Sequence, residues 1–159
     1  MYEYPFPMVS ATATLLLIYK DQVLLGRRTE SREKKEKVYA GFLSLPGGFL
    51  NAGQEIVEET AIRECFEETS IELEFPDLHL FHVSSDPKTD PRAHVINTCY
   101  WVELMDEDVE NAKAGDDLSE LILTPFETLL NDQVTLAFDH IEIAKIGIKH
   151  YQRFKCSET

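Results

Sequence analysis

The sequence predicts an α/β protein in which a mixed β-sheet lies between helices. Three observations support this fold class: short apolar segments recur between turn residues, one central segment has a helical period, and a second helical period closes the chain. A chain of 159 residues has the length of one domain, and such a domain buries enough surface to fold without disulfides. We therefore expect one domain over residues 1–159.

The first strands are predicted near the start of the chain. Apolar residues alternate with small or polar ones over residues 11–19, and a second strand over residues 22–27 follows a two-residue turn, which predicts a hairpin. Residues 28–40 are polar and charged and favour an exposed loop. A short strand over residues 42–45 ends at Pro46-Gly47-Gly48, because glycine adopts backbone angles that other residues reach only at a cost.

Two helices and the remaining strands follow. A helix is predicted over residues 55–69, with one apolar face made of Ala61, Ile62, Cys65 and Phe66. Strands are predicted over residues 71–75, 78–83, 95–104 and near 121–123, with an acidic loop over residues 105–117. The last helix begins after Asp139, which has the spacing of a capping box with Glu142.

Charge and cysteine content exclude several classes of protein. The chain carries 29 acidic and 15 basic residues, and its net charge of −14 repels nucleic-acid backbones, so we expect no nucleic-acid partner. Its three cysteines, Cys65, Cys99 and Cys156, include no C-x-x-C pair, which argues against disulfides and a zinc site. No signal-peptide pattern or membrane-length apolar run is present, so we expect a cytoplasmic protein without a membrane partner.

The central helix concentrates negative charge. Glu64, Glu67 and Glu68 are neighbours at spacings of three and four residues, and Arg63 is the only basic residue between Gln54 and Phe75. Each like-charged pair costs about 0.2–0.5 kcal/mol on an exposed helix, so another group must neutralise the patch.

A Glu-rich helix is more often a solvated surface than a site. Here no lysine is mixed among the acidic residues, and the helix follows a Pro-Gly-Gly turn that can present backbone N–H groups to an anion. Clustered carboxylate oxygens suit Mg²⁺ or Mn²⁺, and such an ion can polarise a phosphoryl oxygen and lower the pKa of a bound water. We therefore interpret the patch as a metal site.

The segment that ends at Ile71 resembles the Nudix box, which runs Gly, five residues, Glu, seven residues, Arg-Glu, an apolar residue, any residue, Glu-Glu, any residue, Gly, and an apolar residue. The matching positions are Glu55, Arg63, Glu64, Cys65, Glu67, Glu68 and Ile71. The sequence departs from the pattern twice: six residues separate Gly48 from Glu55, and Ser70 replaces the second Gly. A serine there is expected to strain a left-handed helix end.

The resemblance implies a fold and a set of residue roles. The fold would be a Nudix-type α/β/α sandwich with a mixed β-sheet. Glu64, Glu67 and Glu68 would be the catalytic residues and the metal ligands, and Arg63 would pair with Glu55 to brace the loop against the helix.

Similarity outside the box points to the ADP-ribose pyrophosphatase branch, which includes Nudix domains of enzymes and regulators of NAD metabolism. The similar phrases lie at residues 24–28, 45–49, 90–96, 114–117 and 136–140. They imply Mg²⁺-dependent hydrolysis of ADP-ribose to AMP and ribose 5-phosphate. The substrate would be bound by Gly48 and by Arg27, Arg28 and Arg92, whose guanidinium groups can each fork onto a phosphate oxygen.

Several points stay open at this level. The carboxylate that takes the proton of the attacking water could be one of the three box glutamates or a later acidic residue, namely Glu107, Glu110, Asp116, Asp117 or Glu120. Phe138 is expected to pack in the core, with stacking on a nucleobase as the alternative. The alternative functions are hydrolysis of oxidised nucleoside triphosphates or dinucleoside polyphosphates, and binding of ADP-ribose by a non-catalytic sensor. The expected partner is a small nucleotide, and a homodimer is left open.

Overall fold

The computed structural model describes residues 3–29 and 38–159. In chain order, the elements of these residues are β1 (Ser10–Tyr19), β2 (Gln22–Arg28), β3 (Leu43–Ser44), β4 (Gly47–Phe49), α1 (Val57–Thr69), β5 (His79–Ser84), β6 (Val95–Glu103), α2 (Asp106–Asn111), β7 (Leu118–Pro125), α3 (Phe126–Leu130) and α4 (His140–Ser157). None of the described helices is long and apolar enough to cross a membrane.

The strands form one mixed sheet of seven strands, in which β3, β2, β1, β6 and β5 are neighbours in that order. β1 pairs in parallel with β6 from Ser10 opposite Val95 to Ile18 opposite Glu103. The predicted β1–β2 hairpin is confirmed, but β2 leaves β1 after two residue pairs and continues antiparallel to β7. The space opened beside β1 is filled by β4, which pairs with Thr12, Ala13 and Thr14.

Both faces of the sheet are covered, which confirms the α/β/α sandwich. Leu16 and Ile18 of β1 pack into a core with Ile143 and Ile148 of α4. Their neighbours in sequence, Leu15 and Leu17, point to the opposite face and pack with Ala61 and Cys65 of α1. Because successive residues of a strand alternate between faces, a strand covered on both sides is apolar throughout.

Two predicted segments are wrong. Residues 71–75 form no strand in the structure; Ile71 and Leu73 are buried beneath α1 in an irregular segment that leads into a short 3₁₀ turn at Phe75–Asp77. The apolar residues of this segment alternate because they pack in the core, although the segment pairs with none of the described strands. The acidic loop over residues 105–117 contains helix α2, and residues 30–37 of the first predicted loop lie outside the described part of the chain.

The predicted apolar face of α1 is only partly correct. Ala61 and Cys65 are fully buried, but Phe66 is 52% exposed, and Glu64 and Glu68 lie on the buried face instead. The helix is rotated so that its carboxylates face the glycine turn of β4. The predicted capping box at Asp139 is also wrong, since Asp139 makes no side-chain cap and accepts a hydrogen bond from the Ser84 hydroxyl.

Candidate active site

A cavity of about 300 Å³ opens where β1, β4 and the start of α4 approach helix α1. Its walls combine acidic, basic and strand-borne polar side chains, among them Glu64, Glu68, Asp116, Asp117, Arg28, Arg92, Phe138, Thr12, Thr14 and Asn97. These residues come from segments far apart in sequence. Only the folded sheet brings them together.

Glycines let the β4 turn lie directly against the acidic helix. A Cβ atom added to Gly48 would lie 2.5 Å from Cδ of Glu64, so a side chain there would displace the carboxylate. Gly47 has φ 155° and sits against the carbonyl of Ala13, where a Cβ would overlap the backbone. Its N–H donates to Oε2 of Glu68 at 3.1 Å. The turn therefore positions two of the box carboxylates.

Arg63 joins the loop after β4 to the helix. Its Nη2 lies 2.7 Å from Oε1 of Glu55 and its Nε 3.0 Å from Oε2, and Nη2 also donates to the carbonyl of Phe49. Its Nη1 donates to Glu64 and Glu67. All five N–H groups of this guanidinium are thus engaged within the protein. Hydrogen bonding to Arg63 is the main reason why the pKa of Glu55 is lowered to about 2.

The acidic cluster is compact. One carboxylate oxygen from each of Glu64, Glu67 and Asp116 lies within 4.8 Å of the others. Burial raises the pKa of Glu64, and burial together with the neighbouring charge of Glu64 raises the pKa of Glu68 well above its usual range. Glu64 and Glu68 are buried beside further carboxylates that Arg63 alone does not neutralise, and the hard oxygen donors of the cluster fit a divalent cation.

A tight loop contact brings Asp116 to the helix. The N–H of Gly115 donates to the carbonyl of Glu68 at 3.0 Å, and the N–H of Lys113 donates to that of Thr69. A Cβ at residue 115 would lie 2.6 Å from the carbonyl oxygen of Glu67, so the approach requires glycine. The short Gly-Asp sequence was the signal in the sequence for this contact.

The structure separates the later acidic residues that were candidates for the general base. Asp116 and Asp117 line the cavity. Glu120 pairs with Arg27 at 2.9 Å, and Glu107 lines a separate surface depression beside Tyr19 and Lys20. Glu110 is not among the described residues that line the cavity. The structure therefore brings two of the five candidates to the box carboxylates.

The basic wall of the cavity is built around Phe138. The guanidinium carbons of Arg28 and Arg92 lie 5.1 and 5.2 Å from the centre of its ring. Arg92 also makes a bidentate ion pair with the buried Asp90 at 3.0 and 2.8 Å. The expectation that Phe138 packs in the core is therefore wrong: its backbone has φ 53°, and its ring faces the cavity.

Arg27 and Arg28 occupy different places although they are adjacent. Arg28 lines the cavity, and burial is the main reason why its pKa is lowered. Arg27 is absent from the described cavity walls; its Nε binds Glu120 and its Nη1 donates to the carbonyl of Gly41. The structure thus brings Arg28, Arg92 and Gly48 to the acidic helix and leaves Arg27 outside.

Buried polar residues of the strands that line the cavity, among them Thr14 and Asn97, were not predicted from the sequence, whereas His140 belongs to the similar phrase at residues 136–140. Thr14 on β1 donates to Oδ1 of Asn97 on β6 at 3.0 Å, and both side chains are buried. His140, the first residue of α4, accepts a hydrogen bond at Nδ1 from the N–H of Leu45 at 2.9 Å. Burial lowers the pKa of His140 to about 4, so the imidazole is neutral at pH 7. For Thr14 and Asn97, the available signal was a polar residue within an otherwise apolar strand.

Comparison with known proteins agrees with this geometry. A model of the NUDIX domain matches residues 9–144. An ADP-ribose pyrophosphatase from Methanocaldococcus jannaschii is 38% identical over 155 residues, which are 96% of this chain and 79% of that protein. The chain belongs to the Nudix family. It is a pyrophosphohydrolase built on the family's α/β/α fold.

Solved structures share the fold. A MutT/nudix family protein from Enterococcus faecalis is similar with a TM-score of 0.76 and 26% identity, and the match covers 94% of this chain and 64% of that one. The NUDIX domain of Shewanella oneidensis NrtR, in a cocrystal with ADP ribose, is similar with a TM-score of 0.76 and 21% identity, over 94% of both chains.

Proposed function

We propose that the protein hydrolyses the pyrophosphate bond of ADP-ribose to AMP and ribose 5-phosphate, with Mg²⁺ or Mn²⁺ as cofactor. The observation that carries this proposal is the meeting of a carboxylate cluster and two guanidinium groups, Arg28 and Arg92, in one cavity. Carboxylates without imidazole or thiolate suit a hard cation, and guanidinium groups suit phosphate oxygens. The relative from Methanocaldococcus jannaschii, named an ADP-ribose pyrophosphatase, supports the choice of substrate.

The residues that would hold the cation are Glu64, Glu67 and Asp116, together with Glu68. The first three already have oxygens within 4.8 Å of one another, and Glu68 is 5% exposed beside them. When bound, a divalent cation polarises a phosphoryl oxygen and lowers the pKa of a water. The glycines of β4 and the ion pair of Arg63 hold the carboxylates in place before substrate binds.

The rest of the cavity would orient the substrate. Arg92 is held by Asp90 in a fixed bidentate geometry, so its remaining N–H groups can meet a phosphate at little entropic cost. Arg28 lies beside it over the same aromatic ring. The proton of the attacking water must pass to a carboxylate within reach, and Asp116 and Asp117 are the later acidic residues that the fold supplies there.

The basic groups of the cavity favour a two-phosphate bridge. Among the described residues that line it, the cations are Arg28, Arg63 and Arg92, and the donors of Arg63 are all engaged within the protein. A nucleoside triphosphate carries more charge than two guanidinium groups offset in a protein of net charge −14. It also lacks the second ribose of ADP-ribose. Discrimination of this kind depends on contacts made in the transition state.

The test is a hydrolysis screen with Mg²⁺ over ADP-ribose, ATP, dGTP, oxidised dGTP and diadenosine polyphosphates, with product identification by chromatography. We expect kcat/KM for ADP-ribose to exceed that for each triphosphate by at least ~10-fold, a difference of about 1.4 kcal/mol. A chelator should abolish turnover. A triphosphate or dinucleoside polyphosphate that is cleaved faster would overturn the substrate assignment while leaving the family intact.

The second candidate function is binding of ADP-ribose without hydrolysis. The structure of the NrtR domain, which contains ADP ribose, suggests this function. The complete set of box carboxylates in this chain favours catalysis. Stoichiometric binding of ADP-ribose in the presence of Mg²⁺ with no release of AMP would establish the sensor instead.

A further inference from the structure

His140 lines the cavity, and one of its two ring nitrogens accepts a hydrogen bond from the backbone. The N–H of Leu45, the residue before the Pro-Gly-Gly turn, donates to Nδ1 at 2.9 Å, so the proton of the neutral ring is on Nε2. His140 is 8% exposed and lines the cavity. The turn that positions the carboxylates and the ring of His140 are therefore rigidly connected.

The second ring nitrogen is available to a ligand. Within the described part of the chain, no group accepts a hydrogen bond from Nε2. His140 lines the cavity, and because Nδ1 is directed at Leu45, Nε2 is the ring nitrogen that remains to face this space. A substrate without an acceptor in that position would leave this donor unpaired, which weakens binding.

The residues next to His140 do not compete with a substrate for this donor. The carboxylate of Asp139 is engaged by the Ser84 hydroxyl. The ring centre of Phe138 lies 5.3 Å from that of the imidazole, and burial keeps the imidazole uncharged. Arg28 and Arg92 supply positive charge for phosphates. A neutral N–H beside them would make a directional hydrogen bond without adding positive charge.

We propose that His140 is a specificity-determining residue, whose Nε2–H donates a hydrogen bond to an oxygen or nitrogen acceptor of the nucleoside-diphosphate substrate. The acceptor belongs either to the adenosine half or to the terminal ribose phosphate, and both present acceptors of the same kind. This inference rests on the proposed function, since it assigns a recognition role within the same cavity.

Two isosteric variants separate recognition from folding. In His140→Asn, an amide oxygen can replace Nδ1 as acceptor for Leu45, but the donor at the ε position is lost. In His140→Gln, an amide N–H₂ can replace the donor at the ε position, but the acceptor for Leu45 is lost. His150→Asn is the matched control, because His150 lies on the same helix, accepts a hydrogen bond from Trp101 at Nδ1 and is not among the described cavity residues.

We expect His140→Asn to keep a melting temperature near that of the wild type and to bind ADP-ribose at least ~10-fold more weakly, in line with the loss of one buried hydrogen bond. His140→Gln should recover most of that affinity despite a lower melting temperature. If the Asn variant binds normally and the Gln variant does not, affinity changes in parallel with the melting temperature. His140 would then have only a structural role. Equal losses in both variants, or none, would likewise overturn the proposal.

Calorimetric binding of AMP and of ribose 5-phosphate identifies the contacted half of the substrate. A weaker affinity of His140→Asn for AMP alone places the acceptor in the adenosine half, and a weaker affinity for ribose 5-phosphate alone places it in the other half. Unchanged affinity for both products would refute the contact. If the wild type binds neither ADP-ribose nor AMP, the proposed function fails; if it binds them and the Asn variant is unaffected, only the role of His140 fails.

Discussion

The carboxylate of Glu64 rests against the α-carbon of Gly48, with no room between them for a methyl group. Gly48→Ala should therefore push the carboxylate out of the acidic cluster and lower kcat/KM at least ~10-fold, because a displacement of about 1 Å at a reacting centre can cost 10²-fold. Steady-state kinetics with ADP-ribose measure the loss.

The control for Gly48 lies in the turn that follows β4. Gly53 has φ 78° and open space around it, and asparagine tolerates that conformation. Gly53→Asn should leave kcat/KM within ~2-fold of the wild type. Full activity of Gly48→Ala would contradict the crowding that the structure shows.

Glu68→Gln should lower kcat at least ~100-fold while the fold survives, since it removes a carboxylate from the proposed cation site. In the absence of metal, the variant should be at least as stable as the wild type, because burial beside Glu64 disfavours a second negative charge. Steady-state kinetics with ADP-ribose measure kcat, and thermal unfolding with and without Mg²⁺ measures stability. Mg²⁺ should stabilise the variant less than it stabilises the wild type. Glu58→Gln on the same helix is the control; near-normal turnover of Glu68→Gln would refute the assignment.

Arg92→Ala should lower kcat/KM for ADP-ribose by about 10- to 100-fold, the range expected for a charged hydrogen-bonded contact of about 1.5–3 kcal/mol. It should also lower the melting temperature, because the buried Asp90 loses its partner. Kinetics well below the melting temperature isolate the catalytic effect. Arg27→Ala, outside the cavity, should stay within ~3-fold of the wild type, and equal losses for the two variants would count against the assignment.

His140 should make the wild type lose stability in mild acid. Its pKa is lowered from 6.5 to about 4 in the folded protein, so the unfolded chain takes up a proton between these values and the native state does not. Stability is therefore lost as pH falls from about 6.5 towards 4. Between pH 7.5 and 5 the loss due to His140 should be about 2 kcal/mol. Urea unfolding of wild type and His140→Asn at both pH values gives the difference, and parallel pH profiles would disprove it.

Ser70 ends α1 in the left-handed conformation with φ 62° and ψ 11°, at the position where the family motif has glycine. Ser70→Gly should stabilise the protein by about 0.5–1 kcal/mol, because the left-handed cost of about 1–2 kcal/mol outweighs the added flexibility of glycine. Ser70→Ala keeps the Cβ and should gain nothing. Denaturant unfolding distinguishes the two, and a destabilised Ser70→Gly would show that no strain is relieved.

Local features of the chain were determined by the sequence alone. The neighbouring positions of Glu64, Glu67 and Glu68 follow from helix geometry, and the left-handed end at Ser70 follows from the motif. The strand β1 and the helix α4 follow from periods of apolar residues that are set within a few residues of chain. These properties need no knowledge of what packs against them.

The tertiary structure decided which side of each element faces the cavity. Arg27 and Arg28 are adjacent on β2, where a register shift lies between them, and only the pairing with β7 turns Arg28 inward. Phe66 is exposed while Glu68 is buried, since the glycine turn of β4 packs beside the carboxylates. Asp116 and His140 reach the site through contacts with residues far away in sequence. Such contacts depend on long-range packing, which the periods of apolar residues along the chain do not specify.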